Sequence, residues 1–101
     1  MTTSRIEHRP AVAHGVRVSA DSLNVDLVDG RSISVPLEWY PRLASSSDAE
    51  RNNWRLIGSG EGIHWPDLDE DISVDHLLSG VRSGESQASV DTWLASRGTR
   101  T

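Results

Sequence analysis

The acidic run from Asp67 to Asp71 is the first candidate for metal chemistry, because carboxylate oxygens are the ligands that calcium prefers. The EF-hand pattern requires a glycine at its sixth position and a bidentate glutamate at its twelfth. Counted from Asp67, those positions hold Ile72 and Leu78. The sharp turn and the key ligand are both missing. The pattern therefore favours a solvated acidic loop that caps the following helix, and we predict no metal and no cofactor.

The other residues capable of chemistry are also poorly spaced for it. The four histidines show no H-x-x-x-H or H-E-x-x-H spacing; they are His8, His14, His64 and His76. No G-x-S-x-G motif places a serine for nucleophilic attack. An enzyme is not predicted. The remaining enzymatic hypothesis is that His64 and either Asp67 or Asp69 meet in a cleft. The alternative is that His64 has only a structural role.

The glycine-rich stretch Gly58–Gly62 resembles a phosphate-binding loop only in its glycine content. Its spacing is not G-x-G-x-x-G, and Glu61 would repel a phosphate. A connection between two strands, with glycines in the left-handed region, fits the stretch better.

The stretch Trp39-Tyr40-Pro41-Arg42 combines the residue types that dominate protein-binding hot spots. Tyr40 and Arg42 are therefore candidate contacts for a partner, with a place in the core as the alternative. A second candidate is the segment 86–97, in which Val90, Trp93 and Leu94 share one face of a predicted helix. That helix either docks on a partner or packs back on its own domain.

The elements that would position these residues follow from apolar periodicity. Two apolar-alternating segments precede Asp29-Gly30, and a third ends at Pro36. A three-residue loop pairs Val25 with Ile33 and puts all the apolar side chains on one face. A two-residue turn would put them on opposite faces. We therefore predict a three-stranded meander with Gly30 in a left-handed conformation.

The second half of the chain predicts a hairpin and short helices. Ser47-Asp48-Ala49-Glu50 has the pattern of a capping box that opens a helix. Residues 54–57 and 63–65 predict two further strands. A helical stripe follows, capped by Asp71 or Ser73; its apolar residues are Val74, Leu77, Leu78 and Val81. The prediction is an α+β fold with a small antiparallel sheet and two or three short helices.

The domain limits predicted from these patterns are a flexible arm over 1–15, one domain over 16–80 and an extension over 81–101 with one short helix. The 101 residues contain no cysteine and no long apolar run, which predicts a soluble, cytoplasmic protein without a membrane anchor. The net charge is −5, and residues 61–75 hold six acids but no arginine. Because phosphate binding needs a basic face, nucleic acid is not expected as a partner of this chain alone.

The order of several motifs resembles a small bacterial family, the domain of unknown function 2442, over about residues 14–80. The motifs are Asp29-Gly30-Arg31, Val35-Pro36-Leu37, Trp39-Tyr40-Pro41-Arg42-Leu43, Asn53-Trp54, Ile57-Gly58, Gly62-Ile63-His64-Trp65-Pro66, Leu68-Asp69-Glu70-Asp71-Ile72-Ser73 and Leu77-Leu78. The resemblance implies a compact α+β domain without established catalytic residues. It also implies an arrangement beside the gene of another small protein, as in toxin–antitoxin pairs. Some relatives carry a helix-turn-helix, but residues 81–101 predict only one helix.

The function predicted from sequence is an antitoxin-like protein-interaction module that binds a small basic protein from an adjacent gene. The alternative is an accessory or dimerisation domain of a DNA-associated regulator. The candidate partner contacts are Tyr40, Arg42, Asp67, Asp69, Glu70, Trp93 and Leu94.

Overall fold

The strands of the chain form two antiparallel sheets of three strands each, in a computed structural model that describes residues 11–98. The first sheet contains β1 (Ala13–Val18), β2 (Ser22–Leu27) and β3 (Ser32–Pro36), and the second contains β4 (Arg55–Ile57), β5 (Gly62–Trp65) and β6 (Glu70–Ser73). A 3-10 helix (Leu37–Trp39), α1 (Pro41–Ala44) and α2 (Asp48–Asn52) lie between the sheets in sequence. Two helices follow the second sheet, α3 (Val74–Leu78) and α4 (Gln87–Gly98). Over the described residues, no helix is long and apolar enough to span a membrane.

The register predicted for the first hairpin is confirmed. Val25 pairs with Ile33, and Leu23 pairs with Val35. The Leu27 amide donates to the Arg31 carbonyl at 2.8 Å, and Gly30 has a φ of +99°. The pairing places the apolar residues of β2 on the buried face of a pleated strand, which is why this register is selected.

The second sheet holds a strand that the sequence pattern did not predict. β6 pairs with β5 so that Ile72 lies opposite Ile63, and both side chains are buried. The pattern indicated an acidic loop here because charged residues surround Ile72. Asp69, with a φ of +51°, lies in the turn before the strand, a conformation that aspartate tolerates better than most residues.

The first strand begins earlier than predicted and joins the two sheets. The arm was predicted to extend to residue 15, but β1 already begins at Ala13, whose amide donates to the Gly60 carbonyl at 2.7 Å. The Ala11 amide donates to Asp75. These contacts include residues 11–15 in the fold, and residues 1–10 of the predicted arm lie outside the described residues.

The short helices begin as predicted but do not all extend as far. Ser47 and Glu50 form the complete capping box of α2, and Ser73 caps α3 by accepting from the His76 amide. The predicted helical stripe is wrong at its end. Leu78 and Val81 are 42% and 44% exposed, because α3 stops at Leu78 after little more than one turn.

The core lies between the sheets and the first helices. Its largest fully buried side chain is Trp65, whose indole Nε1 donates to the Arg51 carbonyl at 3.0 Å. That bond satisfies the polar atom of the ring while the rest of the ring fills the core. The other buried apolar residues include Leu23, Val25, Leu27, Leu37, Leu43, Ile63, Leu68, Ile72, Val74 and Leu77.

Candidate protein-interaction sites

Residues 39–42, which we call the 39–42 surface, contact the segment that follows α3 at three separate points. The Trp39 carbonyl accepts from the Ser83 amide at 3.1 Å, and the Tyr40 hydroxyl donates to the Val81 carbonyl at 2.9 Å. Arg42 binds Glu85. The sequence predicted this stretch as a binding surface, and in the structure it binds the chain's own C-terminal region.

Arg42 is the centre of this surface. Its guanidinium donates to both carboxylate oxygens of Glu85, at 2.9–3.2 Å, and to the Leu68 carbonyl at 3.0 Å. Both charged side chains are largely buried, 19% and 15% exposed. The hydrogen bonds with Glu85 raise the pKa of Arg42, and those with Arg42 lower the pKa of Glu85. The bidentate geometry fixes the orientation of the pair as well as its separation.

Trp93 completes the contact from α4. The Arg42 guanidinium lies 4.9 Å from the centre of its ring, and the Arg97 guanidinium lies 4.5 Å from the same centre. Arg97 also pairs with Glu50 of α2. A third cation–π contact joins Arg82 to Trp39, with 4.7 Å between the guanidinium and the ring centre. Such contacts are favourable because the electron-rich ring face attracts a cation.

The predicted partner contacts outside the acidic run differ in how far they are buried. Trp93 and Leu94 are half-buried, which agrees with the alternative that the helix packs back on its own domain. Tyr40 is 4% exposed and lies in the core. The burial of Tyr40 agrees with the core alternative stated for it above.

The acidic run is dispersed rather than gathered into one patch. Asp67 accepts a hydrogen bond from the Asn53 amide group at 2.9 Å, and Asp69 is exposed in the turn before β6. Glu70 is half-buried. Its burial raises the pKa to about 7; Arg42 opposes that rise, whereas the carboxylates of Glu85, Asp71 and Asp69 add to it.

The enzymatic constellation considered from sequence is not assembled. His64 pairs with Asp71, its cross-strand neighbour in β6, rather than with Asp67 or Asp69. The described residues contain no cluster of three or more histidines and carboxylates that could hold a metal ion.

A groove of about 420 Å³ lies at the edge of the second sheet. Ile57 and Ile72 give it an apolar floor, and Glu61, Asp71 and His76 stand around it. Ile57 is 39% exposed. It lies over Gly62, where an added Cβ would come within 2.9 Å of the isoleucine side chain. The absence of a side chain at Gly62 thus leaves room for Ile57.

Sequence reasoning missed two contributors to these sites. Glu85 lies in the predicted extension 81–101, just before the candidate helix 86–97, and Ile57 was assigned to a strand without a binding role. Ser86 caps the start of α4, because its hydroxyl accepts from the Ser89 amide. A serine at this position is a helix-start signal, and it could have drawn attention to the neighbouring Glu85. Nothing local marks Ile57, because its exposure depends on where the sheet ends.

The comparisons with known proteins identify a family and its fold. A family profile described as "Protein of unknown function (DUF2442)" matches residues 13–83. A crystal structure of a protein of unknown function from Rhodospirillum rubrum is similar, with a TM-score of 0.66 and 27% identity over 79% of this chain and 96% of that one. An uncharacterized protein from Chromobacterium violaceum, solved by NMR, gives a TM-score of 0.62 at 18% identity, over 89% and 79%. No curated protein matches the sequence.

Proposed function

The chain belongs to the DUF2442 family of proteins of unknown function, and we propose that it is a cytoplasmic protein-interaction module whose acidic groove binds a small basic protein. The observation that carries this proposal is the groove itself, with isoleucines at its floor and carboxylates at its rim. We expect this partner to be encoded by an adjacent gene, with our chain as the antitoxin-like member of the pair. The absence of cysteine in the sequence suits a reducing compartment.

The groove suits an arginine or lysine side chain. Such side chains lay their methylene stems along apolar surface and keep the charged head near water or a carboxylate. Here Ile57 and Ile72 would contact the stem, and Glu61 and Asp71 would accept hydrogen bonds from the head. Charge-assisted bonds of this kind are about twice as strong as neutral ones. The net charge of −5 adds a long-range attraction for a basic protein.

Co-expression of the tagged chain with the products of its flanking genes tests the proposal. We expect a stoichiometric complex with one small basic protein, weakened by rising salt because exposed charges are screened. Glu61→Arg should reduce capture at least about tenfold, equivalent to about 1.4 kcal/mol. The matched control is Glu38→Arg, which makes the same charge change at an exposed position outside the groove.

The two variants separate a specific site from general attraction. Equal loss of capture in both would show that net charge alone holds the partner and would overturn the groove as the binding site. Failure of every flanking product to bind the unmodified chain would overturn the interaction-module proposal.

A further inference from the structure

The C-terminal segment 81–98, which we call the strap, lies largely beyond the part of the chain that the family profile matches. That match ends at Ser83, whereas α4 begins at Gln87. Yet the strap contacts family residues throughout its length. Val81, Ser83 and Glu85 bind the 39–42 surface, and Trp93 and Arg97 of α4 extend the contact to Arg42 and Glu50. The 39–42 surface therefore binds a segment that lies mostly past the end of the family match.

The strap is held mainly by directional polar and stacking contacts. Among residues 87–97, Val90 alone is fully buried, and it lies outside the main core cluster. The other attachments of the strap to the rest of the chain include two ion pairs, two hydrogen bonds and two cation–π contacts: Arg42–Glu85, Arg97–Glu50, Tyr40–Val81, Ser83–Trp39, Arg42–Trp93 and Arg82–Trp39. None of these contacts requires that surface and strap belong to the same chain, so a second copy can supply the same groups.

The hinge needed for such an exchange is present at the start of the strap. α3 ends at Leu78, and Gly80 has a φ of +76° with open space around the position of a Cβ. The Gly80 amide donates to the Leu77 carbonyl at 3.2 Å and the Val81 amide to the His76 carbonyl at 2.9 Å, so a change of direction here costs these two helix-ending hydrogen bonds but no side-chain strain. Exchange of an identical element between copies is a low-cost route to a closed dimer, since each copy regains every contact that it gives up.

We propose that the 39–42 surface is a binding site for the strap in trans as well as in cis, and that two copies of the chain exchange their straps to form a two-fold dimer. The occupant is residues 81–98 of the second copy, recognised by bidentate pairing of Glu85 with Arg42 and by packing of Trp93 against the Arg42 guanidinium. The inference is independent of the acidic groove, which shares none of these contacts.

Charge reversal on the two sides of the pair gives a direct test. One full-length variant carries Arg42→Glu and the other carries Glu85→Arg. In each variant, residues 42 and 85 have the same charge, so they repel each other both within one chain and in a dimer of identical copies. Reciprocal exchange between the two variants restores an opposite-charge pair at both interfaces. We expect each variant alone to be monomeric by light scattering. Their equimolar mixture, after brief warming, should contain at least about tenfold more dimer than either variant alone. A mixture that stays monomeric would overturn the proposal.

A second measurement keeps the test decisive if a reversed variant fails to fold. A fluorescent peptide of residues 81–98 is titrated with a full-length chain that carries Glu85→Gln and Trp93→Ala in its own strap. We expect binding at least about tenfold tighter than to the unmodified chain, whose surface is already occupied. Arg42→Ala in the receptor should abolish it, and a peptide carrying Trp93→Ala should not bind. Absence of binding, or binding indifferent to Arg42, would overturn the trans site.

Discussion

Arg42 and Glu85 form a bidentate ion pair across 43 positions of sequence, with N–O distances of 2.9–3.2 Å. The pair joins α1 to the segment just before α4, and the Arg42 guanidinium lies against the ring of Trp93. It thus connects the family domain to the segment that extends beyond it.

We expect Arg42→Ala to lower the free energy of unfolding by about 2–3 kcal/mol, because several hydrogen bonds to a charged group and one cation–π contact are lost. Urea denaturation of the two single variants and the double variant Arg42→Ala/Glu85→Ala gives their coupling, expected at about 1–2 kcal/mol. The Arg31–Asp29 pair is the control, since its side chains are 60% and 55% exposed; its cycle should show no measurable coupling. Equal coupling in both cycles would contradict the structural role assigned to Arg42.

Because Glu70 is half-buried, we expect the free energy of unfolding to fall as the pH rises toward neutrality. Burial raises the pKa of Glu70 in the folded chain to about 7 from 4.5. Between those values the folded state binds more protons than the unfolded state, so the free energy of unfolding decreases as pH increases. Above pH 7 the ionised carboxylate costs about 1–3 kcal/mol.

The variant Glu70→Gln removes this titration. We expect it to be more stable than the unmodified chain at pH 8 and to show a smaller decrease in stability between pH 5 and pH 8. Urea denaturation at the two pH values measures both effects. Glu38→Gln, at an exposed position, is the control. An unchanged pH profile in Glu70→Gln would exclude Glu70 as the titrating group.

Gly60 should not tolerate a side chain. Its φ is +101°, and an added Cβ would lie 2.6 Å from the Ala13 carbonyl oxygen, which belongs to the backbone and cannot simply rotate away. We expect Gly60→Ala to cost about 2–4 kcal/mol, through strain and separation of the two sheets. Gly84→Ala is the matched control because nothing lies within 4 Å of its Cβ position. Thermal unfolding compares the two, and equal melting temperatures would refute the close approach.

Trp65 supplies both volume and a hydrogen bond to the core. Trp65→Phe leaves the Arg51 carbonyl without its indole donor and opens space beside a fully buried ring. We expect a loss of about 2–3 kcal/mol. Trp54→Phe, at a half-buried position, should cost less than half as much. The midpoints of urea denaturation measure the difference, and the reverse order would contradict the assignment of Trp65 to the centre of the core.

The features that the sequence predicted correctly depend on residues close together in the chain. The register of the first hairpin follows from the alternation of Leu23 and Val25 with polar neighbours and from a glycine that can adopt a positive φ. The capping box follows from Ser47 and Glu50, three positions apart. In both cases the stabilising contact lies within the reach of a single turn or strand pair, so the local pattern contains the needed information.

Local patterns failed where burial and pairing come from distant parts of the chain. β6 looked like an acidic loop, because its place beside β5 is decided by the burial of Ile72 against Ile63. The helix at α3 looked longer than it is, since the pattern could not show that Val81 lies outside the core.

By itself, the sequence determined the family, the α+β class, the meander and the residue types suited to binding. Only the tertiary structure decided what those residues contact: Tyr40 lies in the core, Arg42 pairs with Glu85, and Ile57 meets Glu61 at an open groove. The physical reason is that charge pairing, stacking and burial depend on distance through space. Over dozens of residues, spacing along the chain does not fix that distance.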